Sequence, residues 1–369
     1  MCLTKKREFL LQLCQYGDTI KTDEELTQKV ISERLQFIPR KKLYKFRPCE
    51  ERHFQLLDEN CIWLPPADSF VDLFDSTINI DLLKNSKDFE SWFLDQYPTF
   101  CFDLSKHFFE SRGLSVPYTH ADFVEYNRTC LDKNGDPIED MERAFLIAHA
   151  SPSELQQMET IIQQLNILRN EFLQHLEPSM SAIIDAINDM RTYMRKASLV
   201  YCMTERYDNH TLWETYADKY SGFCVEYSFE NFLDVPFDDY KHLAYMFPMT
   251  YRKVKPYFNI IPFVDGAFRQ YICKDESWKN DPELYADLNM QLYYKSKDYE
   301  YEHEWRFSIK NAGNSKQRFP FIHAIYVGYN IAPNNLMRLH TIAKKLHVPI
   351  YQQRINNSKN GFNYIKLSG

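Results

Sequence analysis

Between Tyr299 and Ile309 the chain reads Tyr-Glu-Tyr-Glu-His-Glu-Trp-Arg-Phe-Ser-Ile. The alternation has period two, the period of a β-strand. The sequence therefore predicts one strand with Glu300, Glu302 and Glu304 on one face and Tyr301, His303 and Trp305 on the other. Three like charges on neighbouring same-face positions repel. They are tolerated at a wet surface, as charges that keep an edge strand from aggregating, or in a cleft where a cation compensates them. Arg306, two residues beyond Glu304 on the same face, is the local candidate for that cation. Trp305, facing away, is expected in the core.

Glycine narrows the field of folds. Only nine glycines occur in 369 residues, and neither G-x-x-x-x-G-K-[ST] nor G-x-G-x-x-G is present. Phosphate cradles of P-loop and Rossmann type need clustered glycines, so a nucleotide bound here is held by another route. The net charge of −7 disfavours generic nucleic-acid binding through a broad basic face. Nine cysteines, an odd number with no C-x-x-C pair, read as reduced cytoplasmic thiols. No apolar run of signal-peptide or membrane-spanning type is seen, so no membrane association is expected. None of the eleven histidines sits in an H-E-x-x-H pattern, and no metal site is predicted from them.

The order of elements predicts an α+β chain. Two helices fill residues 1–40 as an N-terminal cap, the second opened by the capping box Thr22-Asp23-Glu24-Glu25. Strands are predicted at Leu43–Arg47 and Cys61–Leu64, then a loop, Val71-Asp72-Leu73-Phe74-Asp75. From Ile80 to Lys196 the pattern is helical. One helix opens at Ser151-Pro152-Ser153-Glu154, and a second, carrying Ile183, Ile187, Met190 and Met194, follows a break at Pro178. Strands return at Leu199–Met203, Gly222–Tyr227 and Ile322–Val327. Leu212–Ala217 is a helical turn with Trp213 and Tyr216 on one face. A helix over Asn334–Leu346 and two closing strands end the chain. The expected organisation is a core of residues 41–79 and 197–369 interrupted by a helical insertion of residues 80–196.

Several stretches resemble the bacterial family known as domain of unknown function 2971. They are Leu43-Tyr44-Lys45-Phe46-Arg47, Trp213-Glu214-Thr215-Tyr216-Ala217, Gly222-Phe223-Cys224, Lys295, and Glu302-His303-Glu304-Trp305-Arg306. The resemblance spans roughly Lys42 to Val327 around the helical block. The Val71–Asp75 loop keeps only the Asp and Phe of the family's N-D-P-F-E pattern. In its order of motifs the family is more distantly similar to the ADP-ribosyltransferase superfamily. That likeness implies a short-stranded mixed sheet core and NAD bound as substrate in a cleft without a glycine loop. It implies Glu304 or Glu302 as the catalytic glutamate and Arg47, with its strand neighbours Lys45 and Tyr44, against the cofactor. Trp213 or Tyr216 would stand beside the nicotinamide. The implied function is an NAD-consuming transferase or glycohydrolase, of toxin or phage-defence type, with a protein or nucleic-acid acceptor.

The chemistry fits those residue types. Breaking the nicotinamide–ribose bond passes through an oxocarbenium-like state that a nearby carboxylate stabilises. An arginine can fork onto a pyrophosphate. Each residue also has a structural role open to it: an ion pair with a glutamate for Arg47, core packing for Trp213 and Tyr216. Two other functions remain open. A nucleic-acid enzyme would use Lys41, Lys42, Lys45 and Arg47 as a basic patch, or Asp72, Glu302 and Glu304 around Mg²⁺. A non-enzymatic module would bind a partner through the helical block.

Overall fold

The computed structural model describes residues 1–70, 75, 77–113, 115–174, 185, 188–189, 192–193, 195–273, 275–310, 313, 315–356, 358 and 361–368. Asp72 and its neighbours Val71, Leu73 and Phe74 lie outside the described residues, as do Pro178, Ile183, Ile187, Met190 and Met194. The chain forms two compact units. The first comprises Met1–Asn79, Arg191–Pro256 and Tyr285–Gly369, and the second Ile80–Met190 and Tyr257–Leu284. The helical unit thus takes in Tyr257–Leu284 as well as the insertion read from the sequence.

The first unit is built on a sheet. Its strands are β1 (Lys42–Arg47), β2 (Cys61–Trp63), β3 (Ser198–Thr204), β4 (Phe223–Ser228), β5 (Met246–Pro248), β6 (Thr250–Arg252), β7 (Tyr294–Ser296), β8 (Glu304–Lys310), β9 (Lys316–Arg318), β10 (Ile322–Val327), β11 (Ile350–Asn356) and β12 (Gly361–Ser368). Eight of them pair in the order β12-β11-β10-β4-β1-β3-β8-β5. Neighbours are antiparallel except β10 and β11. That parallel pair needs a crossover, which the helix Pro333–Leu346 supplies.

Strand periodicity divides the sheet into two faces. One carries Leu43, Tyr201, Val225, Trp305, Phe307 and Ile325, all buried against the helices Glu24–Leu35 and Pro333–Leu346. The Asp23 carboxylate caps the first of these helices, accepting from the Leu26 amide at 2.9 Å. The other face carries Tyr44, Phe46 and Cys224, packed with Trp213. Gly222 lies where a side chain has no room: a Cβ there would come within 2.3 Å of the Arg47 carbonyl oxygen.

The second unit has its own core. Tyr97, Phe123, Tyr126 and Phe145 pack with Met158, Ile162 and Leu165 on helices Leu82–Glu110, His120–Thr129, Glu139–His149 and Leu155–Gln174, joined by Tyr118 from the turn before the second of them. Among the described residues no helix is long and apolar enough to cross a membrane.

The expected strand over Tyr299–Ile309 is corrected. Lys297–Glu302 forms a 3₁₀ turn, His303 adopts the left-handed conformation at φ 44°, and β8 begins only at Glu304. The alternation of small numbers of residues satisfies a strand template, but asparagine-like backbone geometry at His303 breaks it. Glu300 therefore does not share a strand face with Glu304, and its side chain is exposed, as are Tyr301 and His303. Trp305 is buried as expected, its indole N–H donating to the Glu205 carboxylate at 2.8 Å.

Candidate active site

The turn before β8 brings Glu302 and Glu304 together by a different route from a strand face. Thr204 Oγ1 donates to the Glu302 carbonyl at 2.6 Å, and the Asn209 amide donates to the Tyr301 carbonyl at 2.6 Å. The Glu304 amide donates to the Tyr251 hydroxyl at 2.8 Å. These bonds tie the turn to β3, to the cap of helix His210–Tyr216 and to β6.

Register does the rest. Tyr44 stands opposite Thr204, and Thr204 opposite Glu304. Cys202 stands opposite Arg306. Directly opposed residues share a face, so Tyr44, Cys202, Thr204, Glu304 and Arg306 all point to one side. Among the described residues β1 and β3 pair only through Tyr44 and Thr204. Beside that pair lies a cavity of about 410 Å³, lined by Tyr44, Lys45, Phe46, Thr204, Tyr216, Tyr299 and the charged groups described next.

Five ionisable side chains form a network on the cavity wall. The Lys295 ammonium lies 2.5 Å from Glu302 Oε2 and 2.8 Å from Glu304 Oε2. Arg306 Nε donates to Glu304 Oε1 at 2.6 Å, and its terminal nitrogens fork onto both Asp75 oxygens at 2.5 and 2.6 Å. Tyr216 donates its hydroxyl to Glu302 Oε1 at 3.1 Å. Asp75, Glu302, Glu304 and Arg306 are each at most 5% exposed. Burial of such charges is tolerable because each is paired and hydrogen-bonded.

The two glutamates differ sharply. Burial alone would raise the Glu304 carboxyl, but Arg306 and Lys295 outweigh it and hold the group well below the ordinary carboxylate range. Both its oxygens are engaged by cations. Glu302 is shifted the other way: burial raises it, Lys295 opposes the rise, and the Glu304 charge adds to it. Of the two glutamates, Glu302 therefore holds its proton to the higher pH.

Lys45 is the third cation at the cavity. It makes no ion pair with a carboxylate among the described residues. Its ammonium lies 5.2 Å from the Tyr201 ring centroid. Burial and the neighbouring Arg47 charge lower its pKa to about 8, against the pull of Cys202 and the two glutamates.

The remaining sequence candidates fall in different places. Tyr44 and Tyr216 line the cavity. Trp213 is fully buried, edge-on to Phe46 at 5.1 Å, and donates to the Tyr207 carbonyl at 2.7 Å. It supports the wall from behind and does not line the cavity. Arg47 lies over the Tyr201 ring at 5.5 Å, beside a separate small recess with His53 and Tyr227. Neither an ion pair with Glu302 or Glu304 nor a place at the cavity is found for it. Lys42 is paired with Glu226 at 2.7 Å. Lys42 is thus neutralised by Glu226, while Lys45 and Arg47 lie over the same Tyr201 ring.

Three residues of the site carried no role in the sequence: Asp75, Lys295 as the bridge, and Tyr251. Lys295 sits in a short strand, β7, with a sequence too brief for period to declare it. Among the described residues no cluster of histidine, cysteine and carboxylate side chains is arranged to hold a metal ion.

Residues 212–307 match the model of a family described as a protein of unknown function, DUF2971. The matched stretch holds Tyr216, Tyr251, Lys295, Glu302, Glu304 and Arg306, and stops short of Lys45 and Asp75 on the N-terminal side. No curated protein and no solved structure matches the chain.

Proposed function

We propose that the first unit is an enzyme that cleaves the nicotinamide–ribose bond of NAD, with Glu302 as the reacting carboxylate. The observation that carries this is the Glu302 side chain itself. It is a buried carboxylate on a cavity wall, raised by burial and oriented through one oxygen by Tyr216 and through the other by Lys295. A group so placed has the setting of a working carboxylate.

The rest of the cavity suits the same ligand. Tyr44, Phe46, Tyr216 and Tyr299 offer aromatic surface to a flat nicotinamide ring. The uncommitted Lys45 ammonium offers a charge to a phosphate. In the reaction the bond between nicotinamide nitrogen and ribose C1′ breaks, and its electron pair leaves with nicotinamide. Ionised Glu302 stabilises the positive charge that develops on the ribose. Water or an acceptor then adds at C1′ and releases a proton. Glu304, locked between Arg306 and Lys295, is a positioning residue that fixes Lys295 against Glu302.

A Mg²⁺ ion between Glu302 and Glu304 would have to displace Lys295, which already neutralises both. That favours the metal-independent chemistry over a nuclease. The test is incubation of the purified chain with NAD, followed by chromatography for free nicotinamide, with and without EDTA. Release unaffected by EDTA is expected. Absence of release, with and without cell extract as acceptor source, overturns the proposal.

A further inference from the structure

On the cavity side of the sheet, beyond β4, the rings of Tyr207, Tyr326 and Tyr351 form a stack. Tyr207 and Tyr326 lie 4.7 Å apart at 23°, and Tyr326 and Tyr351 lie 5.2 Å apart at 18°. The middle ring is fixed. Its hydroxyl donates to Glu226 Oε2 at 2.7 Å, while Lys42 and His323 both hold Oε1 at 2.7 Å. Glu226 is 3% exposed, so its charge is neutralised on the spot and does not mark the surface as acidic. The outer ring, Tyr351, is partly exposed, and no further ring stacks on it among the described residues.

A cation stands beside that outer ring. Lys366 on β12 stands directly opposite Tyr351, is exposed, and pairs with no carboxylate among the described residues. At the other end of the stack, Arg40, exposed ahead of β1, lies close enough to Tyr207 to oppose the rise of its hydroxyl. Asp208 near Tyr207 is already occupied by Arg206 at 3.0 Å.

The geometry points to a binding platform for single-stranded nucleic acid, in which a base extends the Tyr207–Tyr326–Tyr351 stack and Lys366 takes the adjoining phosphate. A flat face with a pre-fixed parallel orientation accepts any base, and Lys366 at its rim supplies a backbone contact. A protein partner would instead favour an apolar groove, whereas an exposed lysine stands beside this ring. The inference is independent of the cavity chemistry, because neither Tyr351 nor Lys366 lines the cavity.

The experiment uses the full chain and a fluorescein-labelled oligouridylate of about 12 nucleotides, with oligothymidylate as a second probe, read by anisotropy. Binding is expected at about 50 mM salt and should weaken at about 200 mM. Tyr351→Ala should weaken it about fivefold or more, whereas Tyr351→Phe, which keeps the ring, should stay within about twofold. Lys366→Ala, at an exposed position, should lower the slope of log affinity against log salt by about 0.7. No binding at the lower salt, or equal binding by Tyr351→Ala and wild type, overturns the inference. Nicotinamide release by Tyr351→Ala should equal that of wild type, so failure here is distinguishable from failure of the cavity proposal.

Discussion

Arg306 Nε and Glu304 Oε1 meet at 2.6 Å, two residues apart on one face of one strand, and both side chains are buried. The same guanidinium reaches Asp75, far away in sequence, with its other two nitrogens. One side chain therefore fixes the start of β8 to the segment that follows β2. The wall of the cavity depends on that fixture.

Replacing Arg306 should unfold the protein more readily than most single changes. Arg306→Met leaves Asp75 and Glu304 buried without their main partner. Breaking a buried pair from one side costs about 3–5 kcal/mol. Denaturant titration at neutral pH checks this, and a loss under about 1 kcal/mol would show that the pair is not buried in solution.

Acid should weaken the fold through Glu304. Its folded pKa lies below its ordinary value of 4.5, so the ion network stabilises the fold above that value. The contribution is withdrawn as pH falls below about 4.5, because the unfolded chain then takes up protons that the folded one refuses. Glu302, shifted upward, acts in the opposite direction. Stability measured from neutral to acid pH should fall, and Glu304→Gln, already destabilised, should fall less over the same range.

Lys6 should make stability rise with pH on the alkaline side. It is 1% exposed, donates to the Pro248 carbonyl and the Thr250 hydroxyl, and burial lowers its pKa to about 7. Between about 7 and the ordinary 10.5 the unfolded chain binds more protons than the folded one. Below about 7 both forms are protonated and the dependence on pH vanishes. Lys6→Met should abolish the rise, which chemical denaturation at pH values across this window would detect.

Gly222→Ala should destabilise by about 1–3 kcal/mol, the usual cost of forcing extra atoms into a packed site. The added methyl would meet the Arg47 carbonyl and the Ala217 backbone, neither of which can swing aside. A melting temperature unchanged from wild type would mean the strand start relaxes freely. The same contact gives the Gly-Phe-Cys motif a physical reason.

Much of this architecture is legible in the residues. Strands Lys42–Arg47 and Phe223–Ser228 and helices Glu24–Leu35 and Pro333–Leu346 each carry a clear period or cap, and the expected boundaries lie within a few residues of the observed ones. The turn at Lys297–Glu302 was not legible, because its alternating side chains satisfy the strand template while left-handed backbone at His303 ends the pattern. Strands Met246–Pro248, Tyr294–Ser296 and Lys316–Arg318 are three residues each, too short for any period to show. At the site, Glu302, Glu304, Tyr44, Lys45 and Tyr216 are legible as candidates and meet at one cavity. Arg47 shares the Lys45 face by period, and strand position alone does not show that only Lys45 reaches the cavity. Asp75 and Lys295 are joined to the glutamates only by tertiary contact, and nothing local announces it.

The most direct test compares nicotinamide release from NAD by wild type and by Glu302→Gln, with folding of both verified by denaturation. The substitution keeps the shape and removes the charge. Release by wild type and a fall of about a hundredfold or more in the variant, at matched stability, is the predicted result. Equal release by the two proteins would contradict the assignment of Glu302, and no release by wild type would remove NAD cleavage from the cavity altogether.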